Sequence, residues 1–210
     1  VNLAGLRERT RELSGIRTEE LAPDGRLDAM LDEAHRELCG QADWPFLYTE
    51  AGVVADAGVA TVELPVELRR ITAVSWDGGR LRSVVVSDID QLGGQDGDPQ
   101  VWARVDAERL LLWPTPERQG SVAVRGYRHP PRLAADNDTP AFETEFHMAL
   151  AYAAASRLLV QEGDDSGRAD FYLQEWGDAA QSMRIRYLRA DDTSPFQRGG
   201  RIDRRRRWRL

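Results

Sequence analysis

The sequence predicts an α+β protein: mainly a helical bundle of two N-terminal and two C-terminal helices, with an inserted antiparallel β-rich domain and an extended C-terminal tail. Three observations predict it. Apolar residues recur at spacings of three and four near both ends of the 210-residue chain. The middle alternates apolar and polar residues between turn formers, and the C-terminal stretch has no apolar period. Two separated helix pairs can share one bundle if the β segment leaves and returns at the same place. The expected boundaries are 1–43 and 139–190 for the bundle, 44–138 for the inserted domain and 191–210 for the tail.

Asn2 can cap a first helix running to about Ser14, with Leu3, Leu6, Thr10 and Leu13 along one face and Gly15 as its stop. Asp24 can cap a second, in which Leu27, Met30, Leu31, Ala34 and Leu38 repeat and Gly40 follows the end. Asp32 and Arg36 form an i,i+4 pair on its solvated side.

From Trp44 to Pro131 short strands are punctuated by turns. Val62 and Leu64 face opposite to Thr61 and Glu63, Val74 and Trp76 opposite to Ala73 and Ser75, and Val101, Ala103 and Val105 opposite to Trp102 and Arg104. That alternation buries one face of each strand. Asp77-Gly78 suits a type I′ hairpin, whose central residues both take positive φ. Arg109 to Trp113 and Ser121 to Tyr127 supply two more strands, and Ser87 to Pro99 reads as a loop with one helical turn near Ile89.

Helical spacing returns with Thr139 as cap and Pro140 at the first helical position, running to about Glu162. Apolar residues on two sides of this alanine-rich helix predict that it is covered on both. The last helix spans about Ser166 to Ala190, with Ala169, Tyr172, Trp176, Ala180, Met183 and Tyr187 on one stripe. Arg184, Arg186 and Arg189 sit near its C-terminus, where the helix dipole favours positive charge.

Composition excludes several classes. Mean hydropathy is −0.52, and no apolar run approaches the roughly 20 residues of a membrane span. The N-terminus turns charged before a signal-peptide core could form. One cysteine, Cys39, allows no intrachain disulfide and no multi-thiolate metal site, which fits a reducing compartment. Near a helix end it could be nucleophilic, but a small core residue is the stronger reading. His35, His129 and His147 lie in separate segments outside any metal-ligand spacing, and His147 reads as packed between Phe146 and Met148. Asp88 and Asp90 begin like a calcium loop, but Leu92 occupies the next ligand position. Gly93 to Asp98 reads as a loop. The pairs Asp136/Asp138 and Asp164/Asp165 arise by chance in an acidic chain. No enzyme, catalytic residue, metal or cofactor is expected.

Charge is the informative feature. All 28 positive residues are arginine, a bias that points to a GC-rich genome. Arg198 to Leu210 carries seven arginines against Asp203, a local charge of +6 that leaves −13 on the rest of a chain whose net charge is −7. An acidic body with a basic extension suggests a partner-binding tail. Its candidate binding residues are Phe196, Arg198, Arg201, Ile202, Arg204, Arg205, Arg206, Arg207, Trp208, Arg209 and Leu210. Arginine forks fit carboxylate or phosphate, so a protein groove and a nucleic acid are both possible partners, beside a merely solvated tail. Ile202, Trp208 and Leu210 weigh toward protein, because apolar anchors suit a pocket better than a phosphate backbone.

Several segments in order carry a resemblance: Trp44-Pro45-Phe46-Leu47, Glu63-Leu64-Pro65, Arg69-Arg70-Ile71-Thr72-Ala73-Val74, Leu110-Leu111-Leu112-Trp113-Pro114-Thr115-Pro116, Tyr127-Arg128-His129-Pro130-Pro131-Arg132-Leu133 and Phe146-His147-Met148-Ala149-Leu150. Over about residues 15 to 190 the chain is similar to the head-to-tail adaptor (connector) family of tailed bacteriophages and related gene transfer agents. The resemblance implies a virion structural protein, made in the host cytoplasm and built into the neck as a closed, typically dodecameric ring of itself. Its partners would be the portal protein above, on which the tail docks, and the next neck or tail component, a stopper or tail tube protein, below. Packaged DNA would touch it transiently in the channel, and no membrane is involved. An acidic or mixed lumen is expected, because like charge keeps DNA from sticking. The alternative is a nucleic-acid-binding module that grips phosphate with the arginine tail.

Overall fold

The Asn2 side chain accepts the Gly5 amide at 3.1 Å to open the first helix, and Gly15, at φ 76°, closes it by donating its N–H to the Arg11 carbonyl. Both ends are therefore set by local capping. The structure, a computed structural model, describes residues 1–16, 18, 21–163 and 166–188. Among them are helices α1 (Leu3–Ser14), α2 (Asp24–Gly40), α3 (Val86–Leu92), α4 (His147–Glu162) and α5 (Ser166–Leu188). With them stand strands β1 (Tyr48–Ala55), β2 (Thr61–Glu63), β3 (Leu68–Trp76), β4 (Gly79–Arg80), β5 (Arg82–Ser83), β6 (Asp96–Gly97), β7 (Val101–Arg104), β8 (Arg109–Trp113), β9 (Thr115–Pro116) and β10 (Gly120–Arg128). This is the α+β class that the sequence predicts. The chain divides into two compact units, one from Val1–Leu38 together with residues from Leu133 onward, the other Cys39–Arg132.

In the helical unit α1 packs on α4 and α4 on α5. Ala149, Ala151, Ala153, Ala154 and Ala155 are all buried, and their small size brings the backbones close enough for Ser156 Oγ to donate to the Ala169 carbonyl at 2.8 Å. Tyr172 Oη reaches the Leu13 carbonyl at 2.9 Å, fastening α5 to α1. The last helix is described to Leu188, so Arg189 and Ala190 lie outside the described residues, as do Asp164 and Asp165.

Two expectations in this unit are corrected. Helix α4 begins at His147, after a 3₁₀ turn at Thr144–Phe146, and not at Pro140. The cause is where the backbone hydrogen bonds go: the Ala141 N–H donates to His35 Nε2 at 3.2 Å, and the Phe142 carbonyl accepts from His147 Nε2 at 2.9 Å. Those groups are committed to side chains rather than to a helical ladder. Asp32 does pair with Arg36 at 2.9 Å, but it is 3% exposed rather than solvated, because its Oδ1 accepts the Leu133 amide.

The β unit has a sheet of order β1-β10-β3-β4, a second of order β2-β8-β7-β5, and the short pair β6-β9. Every ladder is antiparallel except the two-residue β5–β7 and β6–β9 pairs. Asp77 and Gly78 take φ 45° and 85°, the positive values that the β3–β4 hairpin requires. The two larger sheets face each other across one core: Ala55, Val74, Trp76, Val122 and Val124 from the first meet Val62, Trp102, Leu110 and Leu112 from the second.

Strand β7 departs from one-sided burial. Trp102 enters that core, while Val101 and Ala103 on the opposite face pack with Ile89 of α3, so both faces are covered; Val105 is exposed. The segment read as a loop after Ser87 therefore holds a seven-residue helix, Val86–Leu92, and the β6 pairing. Helix α3 forms because the outer face of β7 gives Ile89 somewhere to bury.

Candidate functional site

The tail residues proposed to bind a partner, Phe196 to Leu210, lie outside the described residues. The helix that leads to them is described, and its last turn is held firmly. Arg186 bridges Glu143 and Glu145 at 2.6 and 2.7 Å, and Tyr187 Oη accepts the Glu143 amide at 3.3 Å with its ring against Phe146. Sequence reading assigned Arg186 to the helix dipole. Its partners are two glutamates some 40 residues earlier, which no local spacing indicates.

The titratable candidates resolve into packing groups. His35 is fully buried, and desolvation brings its pKa down to about 4. His147 is buried and lowered for the same reason. His129 is exposed, 3.8 Å from Glu67. Burial pushes the Cys39 thiol up to about 12, which leaves no thiolate near neutral pH. Asp138 accepts the Ala135 and Ala134 amides at 2.7 and 2.8 Å, and these bonds hold its pKa below the usual carboxylate value.

Asp136 is a ligand of Arg7, a residue the sequence reading passed over. The Arg7 guanidinium is almost entirely buried, and besides Asp136 it meets Asp24 at 2.6 Å and Asp28 at 3.0 Å. Its position one residue after Leu6, on the packed side of α1, was the available signal. Asp88 and Asp90 of α3 have no side-chain partner among the described residues. Among those residues, no group of three or more histidine, cysteine, aspartate or glutamate side chains converges as a metal site.

Among the described residues the β unit carries a concavity. A trough of about 490 Å³ lies on the face of the β1-β10-β3-β4 sheet turned away from the core. Register places Ala73, Ser75 and Ala123 on its floor, with Tyr48, the Glu50–Arg125 ion pair and Arg80 around it. Glu50 accepts Arg125 Nε at 2.9 Å.

The motifs that carry the sequence resemblance build the frame. Trp44 and Leu47 are fully buried. Arg69 donates to the carbonyls of Cys39, Gly40 and Ala42 at 3.1, 3.2 and 2.8 Å and to Asp43 at 2.9 Å, while Arg70 takes the other Asp43 oxygen. Trp113 Nε1 donates to the Gly93 carbonyl at 3.0 Å. These motifs are spent on packing and on backbone carbonyls within an α+β fold. The sequence model of the SU10 adaptor protein family matches residues 1–203, and the chain belongs to that family of phage head-to-tail adaptors. No curated protein matches the chain. An adaptor of this kind is a structural rather than an enzymatic component, with its place in the virion. No helix among the described residues is long and apolar enough to cross a membrane.

Proposed function

We propose that this chain assembles as a closed, dodecameric ring in the virion neck, between the portal and the next tail component, and continues the DNA channel. The segment 191–210 docks on the portal, with Trp208, Ile202 and Leu210 as apolar anchors and the arginines as forks for carboxylates. The observation that carries this reading is the family match, which continues beyond α5 as far as Asp203. That extent supports reading the first part of the tail as belonging to the adaptor, and the run Arg204–Arg207 follows immediately. An acidic body supports a channel role, since like charge along a lumen lowers DNA adhesion.

The experiment is sedimentation of the chain with the portal ring of the same genome, comparing full length, a truncation after Ala190 and Trp208→Ala, with duplex DNA as a parallel ligand. Full-length protein should co-sediment at ring stoichiometry and the truncation should not. Binding of DNA alone, weakening with salt in proportion to the arginines engaged, would replace this reading with a nucleic-acid module.

A further inference from the structure

The two outer faces of the β unit are unlike. The face of the β2-β8-β7-β5 sheet turned from the core is covered by α3, through Ile89 against Val101 and Ala103. Among the described residues of the β unit no helix covers the corresponding face of β1-β10-β3-β4, which holds the 490 Å³ trough; Val54, opposite Ser121 on that face, is 62% exposed. Because the sheets pack face to face, α3 and the trough stand on opposite sides of the unit.

Each side presents what the other lacks. Asp88 and Leu92, four residues apart, share one flank of α3, and Val85 immediately precedes the helix in an extended conformation; Val85 is 61% and Leu92 50% exposed. Asp88 and Asp90 bring two negative charges without a described partner. The trough offers a floor of Ala73, Ser75 and Ala123, low enough to admit side chains, and Arg80 on its wall is an arginine with no described ion-pair partner. A helix with apolar and acidic exposed residues therefore lies on one side of the β unit, and a recessed site with a guanidinium that has no ion-pair partner among the described residues lies on the other.

We propose that α3 of one copy seats in the trough of the next copy, Val85 and Leu92 on the small-residue floor and Asp88 at Arg80. The contact is heterologous: two different patches meet, which is the arrangement that repeats around a ring and closes when the rotation allows. An isologous dimer would pair a patch with itself and leave the other face bare. This inference rests on the ring reading above and names the surfaces that form it.

Cysteine cross-linking tests it, because the native Cys39 is buried and protonated. The full chain carrying Leu92→Cys and Ala123→Cys together is assembled with the portal ring and oxidised. A ladder of disulfide-linked multimers on a denaturing gel is expected from the double variant and from neither single variant. Asp88→Arg with Asp90→Arg should lower assembly about tenfold by setting like charges together, and Arg80→Asp should restore it in the same chain. Circular dichroism checks that these surface variants remain folded. Rings that co-sediment with the portal yet give no ladder overturn the contact and leave the adaptor reading intact. A wild-type chain that fails to sediment with the portal overturns the adaptor reading and this contact with it.

Discussion

Asp32 Oδ1 accepts the backbone N–H of Leu133 at 2.9 Å, joining two residues 101 positions apart. Leu133 is the first residue of the helical unit after the β unit, so this bond fixes the point at which the chain re-enters. Removing the acceptor leaves a buried amide unsatisfied. Asp32→Ala should cost about 2 kcal/mol, read as a lower urea midpoint at unchanged slope. Asp32→Asn keeps a carbonyl oxygen for Leu133 and loses the pairing with the mostly exposed Arg36, so it should cost less, about 1 kcal/mol. Equal losses in the two variants would show that the charge, not the amide, matters.

Burial holds His35 neutral down to about pH 4, whereas the unfolded imidazole titrates near its ordinary 6.5. Between those values the unfolded state binds the extra proton. The contribution of His35 is therefore complete above about pH 6.5 and falls as pH drops toward 4, by about 3 kcal/mol in all. His147 is shifted in the same direction. Urea midpoints measured from pH 7.5 to 4.5 should fall with acid, and the fall should be shallower, though still present, in His35→Gln.

At Gly126, beside a register shift in the β10–β3 ladder, an added Cβ would land on the Arg70 carbonyl oxygen. Gly126→Ala should destabilise by about 2 kcal/mol, because backbone cannot rotate out of the way as a side chain can. Gly52 in the neighbouring β1 has nothing within 4 Å of the same position. Gly52→Ala should leave the melting temperature within a few degrees of the parent.

Cys39 should be silent in the native chain. A thiol pushed up to about 12 and fully buried gives almost no reactive thiolate at pH 8. Ellman's reagent should therefore titrate no thiol in buffer and one per chain in guanidinium. Rapid native labelling would show that the segment around Cys39 opens readily.

The ends of α1 and the C-terminus of α4 were legible from local signals, whereas Thr139 and Pro140, equally local, were misleading. Asn2 with Gly5, Gly15 after Ser14 and Gly163 after Glu162 all terminate helices through neighbours in sequence. The start of α4 was not legible, because Ala141 is claimed by His35, 106 positions away. Nor was the burial of Asp32, whose partner is equally remote. Helix α3 is too short to show a period and exists because β7 receives Ile89. For function, the tail's arginines suggest from composition a carboxylate or phosphate partner, and they lie outside the described residues. The trough is hidden, since Ala73, Ser75 and Ala123 read as ordinary strand residues until register sets them side by side.

The insertion of Cys39–Arg132 between the two parts of the helical unit has a consequence for how the protein is made. The apolar face of α1 is buried against α4, which the ribosome reaches more than a hundred residues later. At about 5–20 residues per second, α1 and α2 wait on the order of 10 s before their partners emerge. The β unit, which is contiguous in sequence, has all its strands within that interval. Synthesis thus favours a folding order in which the β unit forms first, while Leu3, Leu6, Leu27 and Leu31 remain accessible to chaperones until α4 leaves the exit tunnel.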